Sequence, residues 1–373
     1  MNPRRRIFLW APEFGTGPGG IQQYTREVLW ALGELFGPQN VFGLSYGAVD
    51  REFVAARMSG CATVEGVPRP LRGAAFALRA LREARRFRPD LILSTFPRFA
   101  PVGWACRRLL GVPFVTAAHG VEVWGRQSFL LRRSLGAANR VLAVSEYTAR
   151  RMREENSMPF VSVLPNCVDG ARFAPGPRNP ELASRVGIRG RVLLTVARLD
   201  ASERAKGVEV VLRALPEIRQ SLPDLVYIIA GDGNDRQRLE AVAREIGVQD
   251  VVRFAGRVSE DELPDLYRLC DAFVMPSSKE GFGIVFLEAL ATGKPVIAGG
   301  RDGSVDALRC GELGWLVDPD SVDAVARAVV MAIDDTGDER RNGAFLRERV
   351  LAIYGRDAFR DRLHAEIQAV VTQ

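Results

Sequence analysis

Two glutamates eight residues apart, in a stretch that contains glycines, carry the strongest chemical signal in the sequence. The stretch Pro276–Gly293, PSSKEGFGIVFLEALATG, follows the apolar run Ala272–Met275 directly. This pattern predicts a strand, a turn containing Glu280, and a helix that begins near Gly283 and carries Glu288. Free amides at a helix start bind phosphate or hydroxyl oxygens, and glycines allow a close approach. The two carboxylates therefore suit two hydroxylated parts of one ligand, and a capped helix without a ligand is the alternative.

A second signal is a loop with three cations after the apolar run Val192–Ala197. The loop contains Arg198, Arg204 and Lys206, and the whole chain has only three lysines against 48 arginines. Cations at a strand end suit a diphosphate, because they neutralise charge on a departing phosphate. The alternative is a solvated polar loop.

Three other predicted strands end in short motifs that could contact a ligand. They are GTGPGGIQQ, which contains Gly19 and Gly20, HGVEVWG, which begins at His119, and AGDGNDR, which contains Gly231. Glycine-rich turns can cradle phosphates or sugars, and a histidine at a strand end can hydrogen-bond a sugar hydroxyl or an oxyanion. The first motif is not the dinucleotide fingerprint, which has an acidic partner about 20 residues later. A plain tight turn and a core or capping histidine remain open for these motifs.

Metal chemistry is not indicated by the sequence. Asp232 and Asp235 lie close together in a predicted turn, where aspartates more often form Asx-turns than metal sites. The five cysteines are scattered without close pairs, which argues against zinc and disulfides and favours a reducing compartment. We therefore expect neither a metal nor a bound cofactor.

The predicted strands and helices that must position these residues alternate along the whole chain. Its length of 373 residues favours two domains. Short apolar runs separated by helix-length amphipathic segments predict parallel sheets covered on both faces. The Pro- and Gly-containing segment Asp169–Pro180 is the expected connector. We predict an α/β chain of two Rossmann-like domains, residues 1–170 and 171–356. The last helix, Asp357–Val371, within 357–373, could cross back to the first domain.

The lengths of the apolar runs predict where in the cell the protein is located. The stretch Ile7–Trp10 is too short for the apolar part of a signal peptide, and no apolar run approaches the roughly 18 residues that span a bilayer. We expect a cytoplasmic protein.

Charge is distributed unevenly between the two predicted domains. Residues 1–170 carry 23 Arg, no Lys and 13 Asp or Glu, a balance of +10, so the remainder of a chain of net charge +6 carries −4. The segment Leu71–Arg88 predicts a basic amphipathic helix, which could rest on anionic lipid at the inner membrane face or be an ordinary helix with solvated arginines. Nucleic acid is not an expected partner, because no reader motif is present.

Taken together, these motifs resemble the retaining glycosyltransferases of family 4, also called glycosyl transferases group 1, over almost the whole chain. Glu280 and Glu288 match the family's Glu-x7-Glu motif, and the resemblance implies two Rossmann-like (GT-B) domains facing each other across a cleft. It also implies that the final helix returns to the first domain.

The resemblance also implies roles for individual residues. Glu280 would contact the donor sugar and Glu288 the ribose, and the amides of Gly281, Phe282, Gly283 and Ile284 would reach sugar and phosphate. Arg198 and Lys206 match the family's diphosphate-binding pair, and Arg204 could substitute for one of them. By the resemblance, Gly19 and Gly20 would face the donor phosphate, His119 would lie near the transferred sugar, and the loop Phe254–Ser259, with Val258, would contact the nucleotide base. The turn that contains Gly231 would pass close to the donor because of its glycines.

The function implied is a retaining, metal-independent transfer of a hexose-type sugar. The donor would be a nucleoside-diphosphate sugar and the acceptor a glycan or lipid-linked hydroxyl, as in envelope polysaccharide or glycolipid assembly. A nucleotide-sugar 2-epimerase and a non-catalytic protein that binds a membrane surface are the alternatives.

Overall fold

The computed structural model describes residues 5–17, 19–158, 160–188, 190–334 and 337–372, and its chain divides into two compact units. The first unit is formed by the chain up to Cys167 together with the chain from Arg356 onward. The second unit is Val168–Gly355.

The first unit is a parallel sheet with helices. Among its described residues the strands are β1 (Ile7–Ala11), β2 (Val41–Ser45), β3 (Gly60–Thr63), β4 (Leu91–Ser94), β5 (Phe114–Ala118), β6 (Arg140–Ala143) and β7 (Val161–Val163). Its helices are α1 (Gly20–Phe36), α2 (Arg51–Ala55), α3 (Arg69–Phe87), α4 (Ala100–Leu110), α5 (Phe129–Gly136), α6 (Glu146–Asn156) and α15 (Arg356–Val371). The strand order is β3-β2-β1-β4-β5-β6-β7.

The second unit repeats this architecture. Its described strands are β8 (Val192–Val196), β9 (Val226–Ala230), β10 (Val252–Gly256), β11 (Ala272–Met275), β12 (Val296–Gly299) and β13 (Trp315–Val317). Its helices are α7 (Pro180–Arg185), α8 (Val208–Ser221), α9 (Arg236–Glu245), α10 (Leu263–Leu269), α11 (Ile284–Ala291), α12 (Ser304–Ala307), α13 (Val322–Asp334) and α14 (Gly343–Tyr354). The order β10-β9-β8-β11-β12-β13 is again entirely parallel.

The order of the strands reverses at one point in each sheet. In the first unit β1 lies between β2 and β4, and in the second β8 lies between β9 and β11. Open parallel sheets bind ligands at the carboxyl ends of their strands where the order reverses. The loops after β1, β8 and β11 are therefore the ones that the topology favours for binding, and they carry three of the predicted motifs. The predicted pair of Rossmann-like sheets is confirmed.

Several strands were not predicted from the sequence. Strands β2, β3, β7, β10 and β13 have three to five residues each. Glycine or a small polar residue interrupts the apolar pattern in β2, β3 and β7, as in the sequence GCAT of β3. Such segments become strands because a neighbouring strand offers a hydrogen-bonding edge, which a single sequence does not reveal.

Helix α3 presents an unexpected face to solvent. Its buried residues are Phe76, Ala80, Glu83 and Ala84, whereas Leu71 and Leu78 are 61% and 70% exposed. Two leucines of the predicted amphipathic helix therefore point outward. None of the helices in the described ranges combines the length and the apolar composition that a membrane span requires.

The C-terminal helix α15 packs against α1 of the first unit, as the sequence predicts. Its buried side chains are Phe359, Leu363, Ile367 and Val370. At the start of the helix, Arg356 donates two hydrogen bonds to the buried carboxylate of Glu27 at 2.6 and 2.9 Å. This ion pair fixes the point at which the chain returns to the first unit.

Replacing Arg356 with methionine should destabilise the first unit by about 3 kcal/mol, because the buried Glu27 carboxylate loses its counter-charge. The measurement is the urea midpoint of that unit, followed by tryptophan fluorescence. Arg360→Met on the same helix is the matched control, since its partners Asp357 and Asp361 are exposed and the expected loss is about 0.5 kcal/mol. Equal midpoints for the two variants would contradict this account.

Candidate active site

The turn between β11 and α11 forms the centre of the site. Gly283 caps α11 with a positive φ of 92°, and a Cβ there would lie 2.3 Å from the Phe286 ring. Among the described residues, the amides of Phe282, Gly283 and Ile284 find no hydrogen-bond acceptor. The Phe282 ring is buried against Tyr354, so only its backbone is available to a ligand. The turn therefore presents free amides, as expected for oxygen-rich ligands.

Asp302 fixes the position of this turn and is not among the residues predicted from the sequence. Its buried carboxylate accepts hydrogen bonds from the Glu280 amide (2.6 Å), the Ser277 hydroxyl (2.9 Å) and the Ser304 amide (2.9 Å). Burial raises the pKa of Asp302, and its hydrogen bonds counteract that shift. The available signal was the Asp302-Gly303 pair in the loop after β12, separated from the end of that strand by two residues.

The short 3-10 helix Ala201–Lys206 docks on the same turn. The Ser278 amide donates to the Ala205 carbonyl at 2.9 Å. Gly207 has a φ of 79°, and a Cβ there would lie 2.4 Å from the Pro276 carbonyl oxygen. A larger residue at position 207 could not pack this closely, so the glycine allows the loop after β8 to reach the end of β11.

This docking brings Lys206 and Glu280 into contact. The Lys206 ammonium donates a hydrogen bond to Glu280 Oε2, and Glu203 Oε2 lies 3.8 Å from the same nitrogen. Burial works against the charged form of Lys206, but the Glu280 carboxylate outweighs it and raises the pKa of the lysine. The two residues with the strongest sequence signals thus share one site.

The two arginines of the cationic loop differ in their surroundings. Arg198 donates to Glu203 at 2.5 Å, and its side chain is 73% exposed, so it is free to move toward a ligand. Arg204 instead binds Asp235 through two nitrogens at 2.7 and 3.0 Å. Arg204 is therefore committed to a structural ion pair and does not share the position of Lys206.

Gly231 lies beside this loop at the end of β9. Its φ is 139°, and a Cβ would lie 1.8 Å from the Ala197 carbonyl oxygen, which leaves no room for a side chain. Its amide donates to the Gly256 carbonyl at 2.8 Å. Strand β10 extends to Gly256, so the first part of the segment Phe254–Ser259 is strand rather than loop, and Val258 lies in the loop that follows.

Glu288 lies on α11 and faces helix α10. Its Oε2 accepts a hydrogen bond from the Tyr267 hydroxyl at 2.7 Å, which leaves Oε1 for a ligand. Burial raises the pKa of Glu288 to about 7, although the Tyr267 hydrogen bond counteracts the shift. The charge of Arg172 also lowers this pKa and that of Glu260 raises it.

In the first unit, the predicted residues lie at the ends of β1 and β5. Gly19 caps α1 with a φ of 149°, and Gly20 is the first helical residue. His119 follows β5, and its Nε2 lies 2.7 Å from the Thr95 carbonyl oxygen. A carbonyl can only accept, so Nε2 carries the hydrogen, and Nδ1 of the neutral ring is left as an acceptor. The edge of Tyr24 packs on this ring at 4.9 Å between centroids.

The aspartates considered for a metal have arginine partners instead. Asp235 binds Arg204 and Arg238, and Arg238 in particular lowers its pKa to about 2. Asp232 lies 3.9 Å from Arg236. Within the described ranges, no group of three or more His, Cys, Asp or Glu side chains could hold a metal ion.

Comparison with known proteins identifies the family. The family described as Glycosyltransferase Family 4 matches residues 18–172, and that described as Glycosyl transferases group 1 matches residues 185–369. A GDP-mannose-dependent alpha-(1-6)-phosphatidylinositol monomannoside mannosyltransferase of Mycobacterium tuberculosis is 33% identical over 96% of this chain and 97% of its own length. The chain belongs to glycosyltransferase family 4.

Other relatives support the same placement. A D-inositol 3-phosphate glycosyltransferase of Salinispora arenicola is 31% identical over 87% of this chain and 81% of its own length. Among solved structures, Anabaena HepE in complex with UDP aligns over 98% of this chain and all of its own, with a TM-score of 0.81 at 18% identity. Sucrose-phosphate synthase of Thermosynechococcus elongatus has a TM-score of 0.79 at 20% identity, over 99% of this chain and 100% of its own. This family 4 member is therefore a glycosyltransferase with the GT-B fold.

If Glu288 accepts from a ligand hydroxyl, nucleoside diphosphate binding by this family 4 enzyme should weaken as the pH falls through about 7, because a protonated carboxyl group is a weaker acceptor than a carboxylate. Isothermal titration calorimetry at a series of pH values measures the effect. Glu288→Gln is the control: it retains the titration of the ligand's own phosphate but should lose the step near pH 7. A step of unchanged size in this variant would assign it to another group.

Proposed function

We propose that this enzyme transfers a hexose-type sugar from a nucleoside-diphosphate donor to a hydroxyl of a lipid-linked or glycan acceptor, with retention of anomeric configuration and without a metal. The observation that carries the proposal is the contact between Lys206 and Glu280 beside the free amides at the start of α11. One cation, one anion and several amides in one place match a phosphate bonded to a sugar.

The diphosphate is assigned to Lys206 and Arg198. Lys206 pairs with Glu280, and Arg198 pairs with Glu203. A diphosphate offers both cations a stronger partner than a single carboxylate does, so binding would exchange these pairs. Both cations would then stabilise the negative charge that develops on the departing phosphate, a task that other transferases give to a metal ion.

Glu280 takes the transferred sugar in this proposal. Release from Lys206 leaves Oε2 of Glu280 free to accept from a sugar hydroxyl, while Oε1 stays with the Gly281 amide at 3.1 Å. Because Glu280 is engaged in this way, it is not assigned as a nucleophile. We favour front-face attack, in which the acceptor hydroxyl adds on the side from which the nucleoside diphosphate leaves and gives its proton to the leaving phosphate.

The nucleoside is assigned to the other end of α11. Glu288 would accept from a ribose hydroxyl through Oε1, and the loop containing Val258 would contact the base. Gly231 has no side chain that could obstruct the donor near Arg198. In the first unit, Nδ1 of His119 would accept from a sugar hydroxyl, and the amides after Gly19 would bind a phosphate.

The acceptor is assigned to the class of lipid-linked or glycan hydroxyls used in envelope polysaccharide or glycolipid assembly. The Mycobacterium tuberculosis relative is named for a phosphatidylinositol mannoside acceptor, and the Salinispora relative for inositol 3-phosphate. GDP-mannose is accordingly the first donor to test. We place the enzyme in the cytoplasm, in peripheral contact with anionic lipid through its basic first domain.

Replacing Lys206 with alanine should lower kcat about a hundredfold, because the leaving phosphate loses a preorganised positive charge. Glu280→Gln should lower kcat/KM for the donor about tenfold, through the loss of a charged hydrogen-bond acceptor. Initial rates of nucleoside diphosphate release measure both effects. Lys279→Ala is the matched control, since this lysine is exposed and adjacent to Glu280, and it should leave the rate unchanged. Wild-type rates for Lys206→Ala and Glu280→Gln would overturn the assignment.

The wild-type enzyme should transfer mannose from GDP-mannose to a phosphatidylinositol mannoside acceptor in excess chelator, and proton NMR should show that the product keeps the donor's anomeric configuration. A second reaction contains the nucleotide sugar alone. Interconversion of the sugar without an acceptor would identify an epimerase. Absence of any thermal shift across a panel of nucleoside diphosphates and their sugars would favour a non-catalytic binding protein.

A further inference from the structure

Glu203 contacts both of the cations that are assigned to the diphosphate. Its Oε1 accepts a hydrogen bond from Arg198 at 2.5 Å, and its Oε2 lies 3.8 Å from the Lys206 ammonium nitrogen. One carboxylate thus bridges the two cations. When a diphosphate takes over both cations, this carboxylate loses both of its partners and remains beside a ligand of its own sign.

Glu203 also makes this cluster of charges electrically neutral. Lys206 contacts two carboxylates, because it donates a hydrogen bond to Glu280 and lies close to Glu203. With Arg198 included, the two cations of the cluster are balanced by two anions. Without the charge of Glu203 the cluster would carry one net positive charge, which would attract a diphosphate. The side chains of Glu203 and Lys206 are only 23% and 21% exposed, so water screens their charges incompletely.

The backbone on both sides of Glu203 is held in place. Before it, the Ala201 amide donates a hydrogen bond to Asn234 Oδ1 at 2.8 Å. After it, the Ala205 carbonyl accepts from the Ser278 amide at 2.9 Å. The loop therefore cannot carry Glu203 away from the site without breaking these bonds. Rotation of the side chain can end its contact with the cations, but its charge stays near the bound ligand.

The charge of the ligand changes during the proposed reaction. Transfer of the sugar converts the nucleotide sugar into a nucleoside diphosphate, whose freed terminal phosphate ionises with a pKa of about 6. At neutral pH the product therefore carries about one negative charge more than the donor. A carboxylate near the diphosphate opposes the binding of the product more strongly than that of the donor, because Coulomb repulsion grows with the charge of the ligand.

We propose that Glu203 promotes release of the product: its charge weakens binding of the nucleoside diphosphate more than binding of the nucleotide sugar. As the product leaves, Glu203 pairs again with Arg198 and Lys206. The proposal rests on the proposed function, since it requires that these two cations hold the diphosphate. Glu203 acts through the cations and not on the reacting atoms, so it is a positioning residue. Product release limits turnover in many enzymes, and this carboxylate would shorten that step.

A purely structural role for Glu203 predicts the opposite result. If its contacts served only to orient Arg198 and Lys206 for the ligand, removing its charge would loosen both cations and weaken the binding of the diphosphate. If Glu203 instead competes with the ligand, the same change strengthens that binding. The direction of the change in affinity therefore separates the two roles.

Release of fluorescent N-methylanthraniloyl-GDP, chased with excess GDP in a stopped-flow instrument, tests the proposal. Glu203→Gln keeps an oxygen that can accept from Arg198 but removes the charge. It should slow release about tenfold and tighten GDP binding in calorimetry by a similar factor, whereas GDP-mannose should tighten only about threefold. Asp200→Asn is the matched control, because it removes the same charge from the same loop. The Asp200 side chain neither caps the 3-10 helix nor pairs with either cation in the described part of the chain, so this variant should stay within about twofold of the wild type.

A conservative variant and the donor complete the test. Glu203→Asp retains the charge and should release GDP at about the wild-type rate. The role of Glu203 is overturned if Glu203→Gln releases GDP as fast as the wild type or faster, if GDP-mannose tightens as much as GDP, or if Asp200→Asn slows release equally. In each of these cases the wild type still binds GDP, and the proposed function stands. If neither the wild type nor Glu203→Gln binds GDP, UDP or their sugars, the proposed function is overturned together with the role of Glu203.

Discussion

The site in the second unit depends on one contact, between a lysine and a glutamate that lie at the ends of two neighbouring strands. Lys206 is largely removed from water, and an ammonium in that position needs a nearby counter-charge. Glu280 supplies it only because β8 and β11 are adjacent and Gly207 lets their loops touch. Any ligand must therefore replace an existing ion pair with something at least as favourable to both partners, which selects for molecules that combine an anion with hydroxyl groups.

The remaining residues of the second unit's site determine the orientation in which a ligand would bind. Asp302 accepts a hydrogen bond from the Glu280 amide, which fixes the orientation of the turn and of the free amides beside Gly283. At the far end of α11, Tyr267 occupies one oxygen of Glu288 and leaves the other available. The Lys206–Glu280 pair thus lies before the start of α11 and the pH-sensitive Glu288 lies on that helix, which gives a bound molecule only one favourable orientation.

The sequence predicted the two parallel sheets and the return of the last helix because long apolar runs and helical spacing are local signals. The sequence could predict that Lys206 and Glu280 lie at the same sheet edge, because each follows a strand. Their spacing in the sequence could not show that they form an ion pair. Arg204 was interpreted as a possible substitute for Arg198 or Lys206, since only coordinates reveal its partner Asp235. Asp302 was missed because its function comes from three donors that are distant in sequence. Strands such as β3 escaped notice because their sheet partners, and not their own residues, make them strands.

The packing of α15 against α1 affects how the chain folds during synthesis and whether a truncated first unit can fold. The first unit includes the last helix, so its final surface can form only after the ribosome has made the whole second unit. Until then Glu27 lacks its arginine, and the α1 side chains that receive Phe359 stay uncovered. A nascent chain would thus complete its second unit first, and a fragment ending at Cys167 would be an unfinished domain rather than a minimal one.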